Sequence, residues 1–260
     1  MSGSADKDAR RLSPHPPLTA YYHSEHQHRL FLDALFDRTA SHYDRIAWLL
    51  SLGSGSWHRR HALLRAGLRH DMAVLDVAVG TGSVAREAVS LLRRPGWLVG
   101  IDPSPGMLAQ ARMRVGIPVI QGLAEHLPFR DESFDFLSMG YALRHVSDLR
   151  ATFCEYHRVL RPGGRLLILD FARPRTRTGY RLARFYFDTL VPWVAQLGSG
   201  TGDARMLMRY CWASVAHCVP AETICRSIAE SGFEQIRGKP DFGVFIEYVA
   251  VKPGRASLRP

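Results

Sequence analysis

The chain has 260 residues, of which 46% are hydrophobic, and its 34 Lys and Arg against 24 Asp and Glu give a formal net charge of +10. This length and composition can supply a packed core, which excludes an intrinsically disordered protein. No apolar run approaches the roughly 18 residues of a membrane span, and the first residues, MSGSADKDARRLSPHPPLT, lack the apolar core of a secretion signal, so we expect a cytoplasmic protein.

The basic excess would attract nucleic acid, anionic lipid or an acidic small molecule. Much of it lies in tails and surface helices, and no stripe alternates basic with aromatic residues as in proteins that bind single strands. We expect a solvated basic surface and no stable nucleic-acid partner.

Cysteine and histidine are the residue types that would hold a metal. The cysteines, at 154, 211, 218 and 225, lack the close pairs of a zinc site, and the four histidines from His15 to His28 are irregularly spaced. A chain without a secretion signal normally keeps its thiols reduced. We therefore expect free cysteines and no metal.

Along the chain, residues 1–28 are polar, rich in Pro and His and without hydrophobic periodicity, which predicts a mobile N-terminal arm. Residues 29–70 are predicted to form N-terminal helices, the last of them around 57–68 after the break SLGSGS at 51–56. The apolar positions that carry the helical period are Phe31, Leu32, Leu35 and Phe36, then Tyr43, Ile46, Ala47 and Leu50.

From residue 73, short apolar runs alternate with amphipathic helical segments. The runs lie at 73–78, 97–102, 117–122, 133–140 and 164–171, and Phe233 to Val251 supplies two more, with an antiparallel edge pair. Buried strands separated by helices are typical of a parallel sheet covered on both faces. The predicted fold class is α/β, a doubly wound, mostly parallel seven-stranded sheet, and residues 29–260 are predicted to form one domain.

A long helical insert is predicted at 178–213, after the fifth strand, and we name it the cap. Pro192 is expected to bend it. The helix that follows, at 222–233, is predicted to end at Gly232. The cap positions with helical spacing are Leu182, Phe185, Tyr186, Thr189, Leu190 and Trp193.

The stretch DVAVGTGS, residues 76–83, combines an acid, two glycines and a helix start at the end of the first strand. Such a turn presents backbone N–H groups and the positive helix end to a ligand. Twenty residues beyond Gly82, Asp102 ends the second strand, where an acid accepts both hydroxyls of a ribose. These features predict a nucleoside cofactor.

The glycine pattern alone fits NAD as well as S-adenosylmethionine (SAM). Asp76 separates the two, because a carboxylate there would repel a pyrophosphate and would attract the ammonium and sulfonium of SAM. The alternative is that Asp76 only binds local N–H groups.

With these residues in place, the chain resembles class I SAM-dependent methyltransferases, and in particular the ubiquinone/menaquinone C-methyltransferase family. The resemblance runs from about Phe36 to Lys252 and implies the Rossmann-like methyltransferase fold, with SAM as cofactor and S-adenosylhomocysteine as product. It is carried by FDRTASHYDRIAWLLSLG, VLDVAVGTGS, GIDPSPGMLAQAR, GLAEHLPFRDESFD, YALRHVSD and RVLRPGGRLLILDFARP.

The resemblance also implies the cofactor contacts. These are Tyr43, Asp76, Ala78, Gly80, Thr81, Gly82, Asp102, Pro103, Met107, Leu123, Ala124 and Gly140. Three positions depart from the family. Leu123 replaces an Asp or Asn and offers the adenine amino group no acceptor, Ser83 replaces an Asp, and Gly140 replaces a serine found in some members, which predicts a more open pocket wall.

The predicted catalytic pair is Arg144 and His145, where family members read Arg-Asn. His145 is predicted to take a proton from a hydroxyl of the acceptor, which makes the neighbouring ring carbon nucleophilic. Arg144 would hold the resulting oxyanion. The alternative for His145 is a residue that caps the next helix or packs beneath the loop.

The predicted acceptor is a phenolic or quinol-like, apolar aromatic small molecule that is methylated on carbon. Its predicted contacts are Tyr141, Asp170, Phe185, Tyr186 and His217. The departures leave open a tailoring methyltransferase of secondary metabolism, acting on O, N or C, and a SAM reaction other than methyl transfer. A nucleic-acid methyltransferase is disfavoured, since the chain has no NPPY-type motif. A homodimer and a peripheral membrane contact through Arg175 to Arg184 are compatible with the chain.

Overall fold

The computed structural model describes residues 11–45, 48, 53–174, 176–190, 202–241 and 245–254. In them, seven strands form a sheet in the order β3-β2-β1-β4-β5-β7-β6. The strands are β1 (Val74–Val77), β2 (Leu98–Asp102), β3 (Val119–Gln121), β4 (Phe134–Gly140), β5 (Leu160–Phe171), β6 (Glu234–Asp241) and β7 (Phe245–Val251). β1 to β5 pair in parallel and β7 is antiparallel to β5 and β6, which confirms the predicted sheet.

Helices cover both faces of the sheet, as predicted. They are α1 (Glu25–Thr39), α2 (Gly55–Arg65), α3 (Ser83–Val89), α4 (Pro105–Val115), α5 (Leu149–Val159), α6 (Arg177–Phe185), α7 (Gly202–His217) and α8 (Ala221–Glu230). Successive strand residues point to opposite faces, so Leu75 packs with α5 and α8 while Val74 packs with α2, α3 and α4. The carboxyl ends of β1, β2, β4 and β5 therefore meet at one edge of the sheet.

The prediction of a mobile arm over 1–28 is wrong from residue 11 onward. The Leu12 N–H donates to Asp148 Oδ1 (3.3 Å), its carbonyl accepts from the Leu149 N–H (2.9 Å), and the Val219 N–H donates to the Pro14 carbonyl (2.8 Å). Leu18 and Tyr22 are buried. Composition reports only local tendencies. It could not reveal that this segment is held by partners more than 100 residues away in sequence.

The predicted cap contains α6, a π-helical turn (Tyr186–Leu190) and α7. Pro192 and Trp193 lie outside the described residues. α7 runs four residues beyond the predicted end at 213 and packs on α1, where Leu35 contacts the same apolar cluster as Leu207 and Tyr210. In the described part of the chain, no helix combines the length and the apolar character needed to cross a membrane.

Candidate functional site

The turn after β1 is built on left-handed backbone. Ala78, Gly80 and Gly82 have φ values of 53°, 56° and 87°, and Gly82 caps the N-terminus of α3. A Cβ at Gly82 would lie 2.4 Å from Cγ2 of Val115. Only glycine therefore fits at 82, because it tolerates both the backbone conformation and the close approach of α4.

Two cavities meet at the carboxyl edge of the sheet beside this turn. The small cavity, about 140 Å³, reaches Asp102, Pro103, Met107, Leu123 and Ala124. The large cavity, about 2190 Å³, reaches Asp76, Thr81 and Ser83 and extends under α6 and α7. The residues that line both are Tyr43, Ala78, Gly140, Tyr141 and His145. A ligand bound in the small cavity would thus face the large one across these five residues.

Asp76 lies in the middle of the sheet with 1% of its surface exposed. Its Oδ1 accepts a hydrogen bond from the Ser138 hydroxyl (2.6 Å), whereas Oδ2 is buried with no hydrogen-bond partner among the described residues. Burial raises the pKa of Asp76 to about 7, although the Ser138 hydrogen bond and the nearby backbone N–H of Ala85, at the start of α3, act in the opposite direction. An unsatisfied buried carboxylate on a cavity wall is a site for a cationic ligand group.

Asp102 ends β2 and fixes the turn across the edge. Its Oδ2 accepts from the Gly80 N–H (2.8 Å) and its Oδ1 from the Ser104 N–H (2.9 Å). Burial raises the pKa of Asp102 to about 6, and the two backbone N–H groups oppose that shift. Each carboxylate oxygen has a further lone pair, so the group can still accept the hydroxyls of a ribose.

Glu125 is a residue of the small cavity that sequence analysis missed. It lies on the cavity wall with Leu123, and its Oε1 accepts from both the N–H and the hydroxyl of Ser147 (2.6 and 2.8 Å). Within the described chain its Oε2 makes no hydrogen bond, so it can accept from an adenine amino group where Leu123 cannot. The sequence did carry a signal, because Glu125 is an acid only two residues after Leu123, but the family motif has its acceptor at the position of Leu123.

We expect Glu125→Gln to keep most of the affinity for an adenosine ligand, since the amide retains an acceptor oxygen. Glu125→Ala is expected to weaken that affinity by about 10- to 150-fold, because losing a hydrogen bond to a charged group costs about 1.5–3 kcal/mol. Isothermal titration with S-adenosylhomocysteine measures both. Glu132→Ala, a change outside the cavity, is the control. Equal affinities of the Ala variant and the unchanged protein would remove Glu125 from the adenine site.

Tyr43 and Thr81 join the N-terminal segment to the glycine turn. The Thr81 hydroxyl donates to Asp44, which also pairs with Arg114 on α4. Tyr43 lines both cavities, and burial raises the pKa of its phenol well above the ordinary value. These contacts place Tyr43 at the junction of the cavities.

Gly80 and Gly82 are not on either cavity wall, and they act by shaping the turn.

The end of β4 forms the other side of the junction. The space that a Cβ at Gly140 would take is filled by Val84 Cγ2 at 2.6 Å, so the expected opening of the pocket wall is not present on that side. Tyr141, the next residue, has φ 61° and donates its N–H to the Leu169 carbonyl (2.6 Å). A non-glycine residue in this region costs roughly 1–3 kcal/mol and is concentrated at functional sites.

Arg144 is buried, with 1% exposed, and is bound on all sides. Its Nε donates to Asp170 Oδ1 (2.8 Å), Nη1 donates to the Ser214 hydroxyl (2.8 Å) and the Cys211 carbonyl (3.3 Å), and Nη2 donates to the Tyr141 carbonyl (3.3 Å). It thereby ties the loop after β4 to β5 and α7. Arg144 also touches the large cavity. However, most of its guanidinium N–H groups already donate to these partners, which leaves few of them to bind the predicted oxyanion.

His145 lies at the junction of the cavities, between Phe36 (ring centroids 5.3 Å apart) and Tyr210 (5.5 Å). Its Nδ1 is 3.4 Å from the Tyr210 hydroxyl. Burial, and then the positive charge of Arg144, hold the pKa of His145 well below its ordinary value. The ring is therefore neutral at pH 7 and able to accept a proton, and it does not cap the following helix, since Asp148 does so.

Of the five predicted acceptor contacts, the structure places Tyr141, Phe185 and Tyr186 on the large cavity. It does not place Asp170 or His217 there. Asp170 is buried against Arg144 and accepts from the Phe171 N–H (2.7 Å), and His217 is exposed, its Nδ1 bound to the Ala213 carbonyl (2.8 Å). A residue at a strand end or a helix end lies near the cavity, but its side chain can turn to a neighbouring element, as these two do. Their role as acceptor contacts stays a prediction.

Comparison with known proteins identifies the relatives of this chain. Residues 23–252 match the model of the ubiE/COQ5 methyltransferase family. A demethylmenaquinone methyltransferase of Mycobacterium sp. strain KMS is 34% identical over 223 residues, covering 85% of this chain and 94% of the relative. A 2-phytyl-1,4-naphtoquinone methyltransferase of Thermosynechococcus vestitus is 33% identical, covering 82% and 94%.

Solved structures agree on the fold. A SAM-dependent methyltransferase of Thermotoga maritima superposes with a TM-score of 0.60 at 22% identity, covering 85% of this chain and 99% of the other. A phosphoethanolamine N-methyltransferase of Haemonchus contortus, solved with SAM, has a TM-score of 0.55 at 19% identity and covers 76% and 53%. At these identities the likeness extends to the sheet and its helices.

Proposed function

The chain belongs to the ubiE/COQ5 methyltransferase family, and from that membership we propose that it methylates a ring carbon of an apolar, quinol-like aromatic molecule. It is a SAM-dependent methyltransferase, an enzyme of class EC 2.1.1. The single observation that carries the finer proposal is the junction of the two cavities, where His145 and Tyr141 face the large one. The names of the curated relatives support a naphthoquinol as acceptor.

The residues present fit SAM. Asp76 offers a buried carboxylate oxygen that makes no hydrogen bond among the described residues, and Asp102 offers lone pairs for the ribose hydroxyls. Gly82 has no side chain, which lets the turn pack closely against α4. When bound, SAM supplies an electrophilic methyl group and leaves as S-adenosylhomocysteine. Holding the two reactants close and aligned supplies much of the acceleration.

The large cavity suits a ring with an apolar tail. Phe171, Phe187 and Tyr186 stand on its wall, with Phe171 and Phe187 centroids 5.8 Å apart. Aromatic walls of this kind favour apolar rings over charged ligands. Its volume of about 2190 Å³ exceeds what a single ring needs, which supports an acceptor that carries a hydrocarbon chain.

In the proposed mechanism the neutral His145 takes a hydroxyl proton from the acceptor through Nε2. The ring carbon beside that oxygen gains electron density and would bond to the methyl carbon as the methyl–sulfur bond breaks. That carbon then loses its own proton to water, which restores the aromatic ring, and the oxygen recovers a proton from His145 Nε2, so that one proton is released for each methyl group transferred. Because burial makes His145 a weak base, we propose that it shares the hydroxyl proton as the bond forms. Arg144 positions the loop that carries the histidine.

Turnover with SAM carrying a ¹³C-labelled methyl group tests the proposal on reduced demethylated naphthoquinols of increasing tail length. We expect S-adenosylhomocysteine and a product whose label resonates as a methyl on ring carbon. A label on oxygen would identify an O-methyltransferase instead. Methylthioadenosine in place of S-adenosylhomocysteine would show that the enzyme uses SAM for another reaction.

The membrane contact is proposed at α6. This helix exposes Leu182 and Phe185, 68% and 58% of their surfaces, on the same short helix as Arg177 and Arg181. Leu182 and Phe185 also line the large cavity. Apolar side chains flanked by arginines bind anionic bilayers at the interface, and here they would lie where a lipophilic acceptor enters.

Flotation with vesicles containing phosphatidylglycerol is expected to carry the protein upward, and the double change Leu182→Gln with Phe185→Gln is expected to abolish this. The reason is that two large apolar side chains lose their insertion, about 1.5–3 kcal/mol each. Met113→Gln, an equally exposed site on α4 (72%), serves as the matched control. Flotation that is the same for all three proteins would remove α6 as the contact.

A further inference from the structure

Three side chains from three distant parts of the chain form one hydrogen-bonded row. The Tyr210 hydroxyl on α7 lies 3.4 Å from Nδ1 of His145 and 3.1 Å from Nε2 of His28 on α1. Tyr210 is fully buried, with its ring against Phe31 (centroids 5.2 Å apart). His28 is also buried and stacks on Tyr22 at 4.2 Å. The packing holds all three rings in place.

The row has one phenolic proton and two possible acceptors. The buried Tyr210 is neutral, since desolvation raises the pKa of its hydroxyl well above the ordinary value. A hydroxyl donates once and then accepts from the other neighbour. In the first arrangement the Tyr210 hydroxyl donates to His28 and accepts from His145, whose ring proton is then on Nδ1. In the second arrangement the hydroxyl donates to Nδ1 of His145, whose ring proton is then on Nε2.

The distances favour the first arrangement. O–H donors make shorter hydrogen bonds than N–H donors, and the shorter of the two contacts is the one to His28. His28 is neutral at pH 7, because burial lowers its pKa to about 4, so one of its ring nitrogens has a lone pair. In the first arrangement that nitrogen is Nε2, which accepts from the Tyr210 hydroxyl. His145 then donates from Nδ1 to the phenolic oxygen, and its Nε2 keeps a free lone pair.

We propose that Tyr210 and His28 are positioning residues that hold His145 in the Nδ1–H tautomer, with Nε2 available as the proton acceptor at the junction of the cavities. The inference rests on the proposed function only for the use that His145 makes of that lone pair. Among the described residues no hydrogen bond to Nε2 of His145 is present, so nothing competes for it within this part of the chain. The tautomer itself is a property of the folded protein without ligands.

The tautomer is measured directly by long-range ¹H–¹⁵N spectra of the histidine rings, with His145 assigned from the signal that His145→Gln removes. We expect the unprotonated nitrogen of His145 to be Nε2 in the unchanged protein. An unprotonated Nδ1 would overturn the proposal, whatever reaction the enzyme catalyses. This measurement needs neither SAM nor turnover, so failure of the proposed function and failure of this inference give different results.

His28→Phe gives the sharper test, because it keeps the ring stacked on Tyr22 but removes the acceptor of the Tyr210 proton. The hydroxyl is then expected to donate to His145 Nδ1 and to move the ring proton to Nε2. The spectrum should then show Nδ1 of His145 as the unprotonated nitrogen. We expect kcat to fall by at least about tenfold, within the roughly 10²–10⁴-fold that a general base contributes, while the KM for the acceptor stays unchanged.

Tyr210→Phe and His28→Gln complete the set. Tyr210→Phe removes the acceptor of the Nδ1–H bond and is expected to give a mixture of tautomers with a similar loss in kcat. His28→Gln restores an acceptor oxygen and is expected to recover both the spectrum and kcat. Unchanged tautomer and kcat in folded His28→Phe, verified by circular dichroism, would show that the row is packing alone.

Discussion

Asp76→Asn is expected to weaken the binding of SAM by at least about 100-fold. The carboxylate is buried on the cavity wall, and its Oδ2 has no partner among the described residues. Two unit charges about 4 Å apart at an effective dielectric of about 20 interact by roughly 4 kcal/mol, and about 1.4 kcal/mol is a factor of ten in affinity. Asparagine keeps the size of the side chain and removes the charge. Isothermal titration measures the loss.

The ligand set provides the control. Methylthioadenosine has neither the ammonium nor the sulfonium, so its affinity is expected to be nearly the same in Asp76→Asn and the unchanged protein. Asp71→Asn, at an exposed acid in the turn before β1, should leave both ligands unaffected. A variant that binds SAM normally would show that Asp76 only fixes the turn.

Asp76→Asn also changes how the stability of the protein depends on pH. The pKa of Asp76 is raised to about 7 in the folded protein, above its unfolded value of about 3.9. Its contribution to stability is therefore complete below about pH 4 and is lost as the pH rises through 7. We expect urea midpoints of Asp76→Asn to exceed those of the unchanged protein increasingly between about pH 4 and 8, and SAM affinity of the unchanged protein to rise over the upper part of that range.

Arg144→Met is expected to lower the free energy of unfolding by about 3–5 kcal/mol, the usual cost of removing one partner from a buried ion pair. The change leaves the Asp170 carboxylate buried with the Phe171 N–H as its remaining donor among the described contacts, and it breaks the bonds to Ser214, Cys211 and Tyr141. Urea denaturation followed by circular dichroism measures the midpoint and slope.

Two further variants separate the charge from the packing. Asp170→Asn added to Arg144→Met is expected to recover part of the loss, because no unpaired charge remains buried. Arg69→Met breaks an exposed pair with Asp71 and should cost about 0–1 kcal/mol. If Arg144→Met costs no more than Arg69→Met, the buried pair does not hold the loop to β5 and α7.

The sequence alone determined the sheet, the glycine turn and the position of two acids at the carboxyl edge of the sheet. Strand runs at 73–78 and 133–140 were recognisable because burial on both faces makes a parallel strand uniformly apolar. Asp76 and Asp102 were recognisable because each sits at a fixed place on its own strand, and the carboxyl ends of parallel strands share one edge.

Only the tertiary structure decided the roles that depend on contacts between distant segments. The packing of residues 11–24, the inward turn of Glu125, the pairing of Asp170 with Arg144 and the row from His28 through Tyr210 to His145 join positions far apart in sequence. Periodicity and composition report which face of an element is apolar, and they do not report which neighbour a polar side chain meets. That choice is made when the elements pack, because a buried polar group must find its partner wherever the fold brings one.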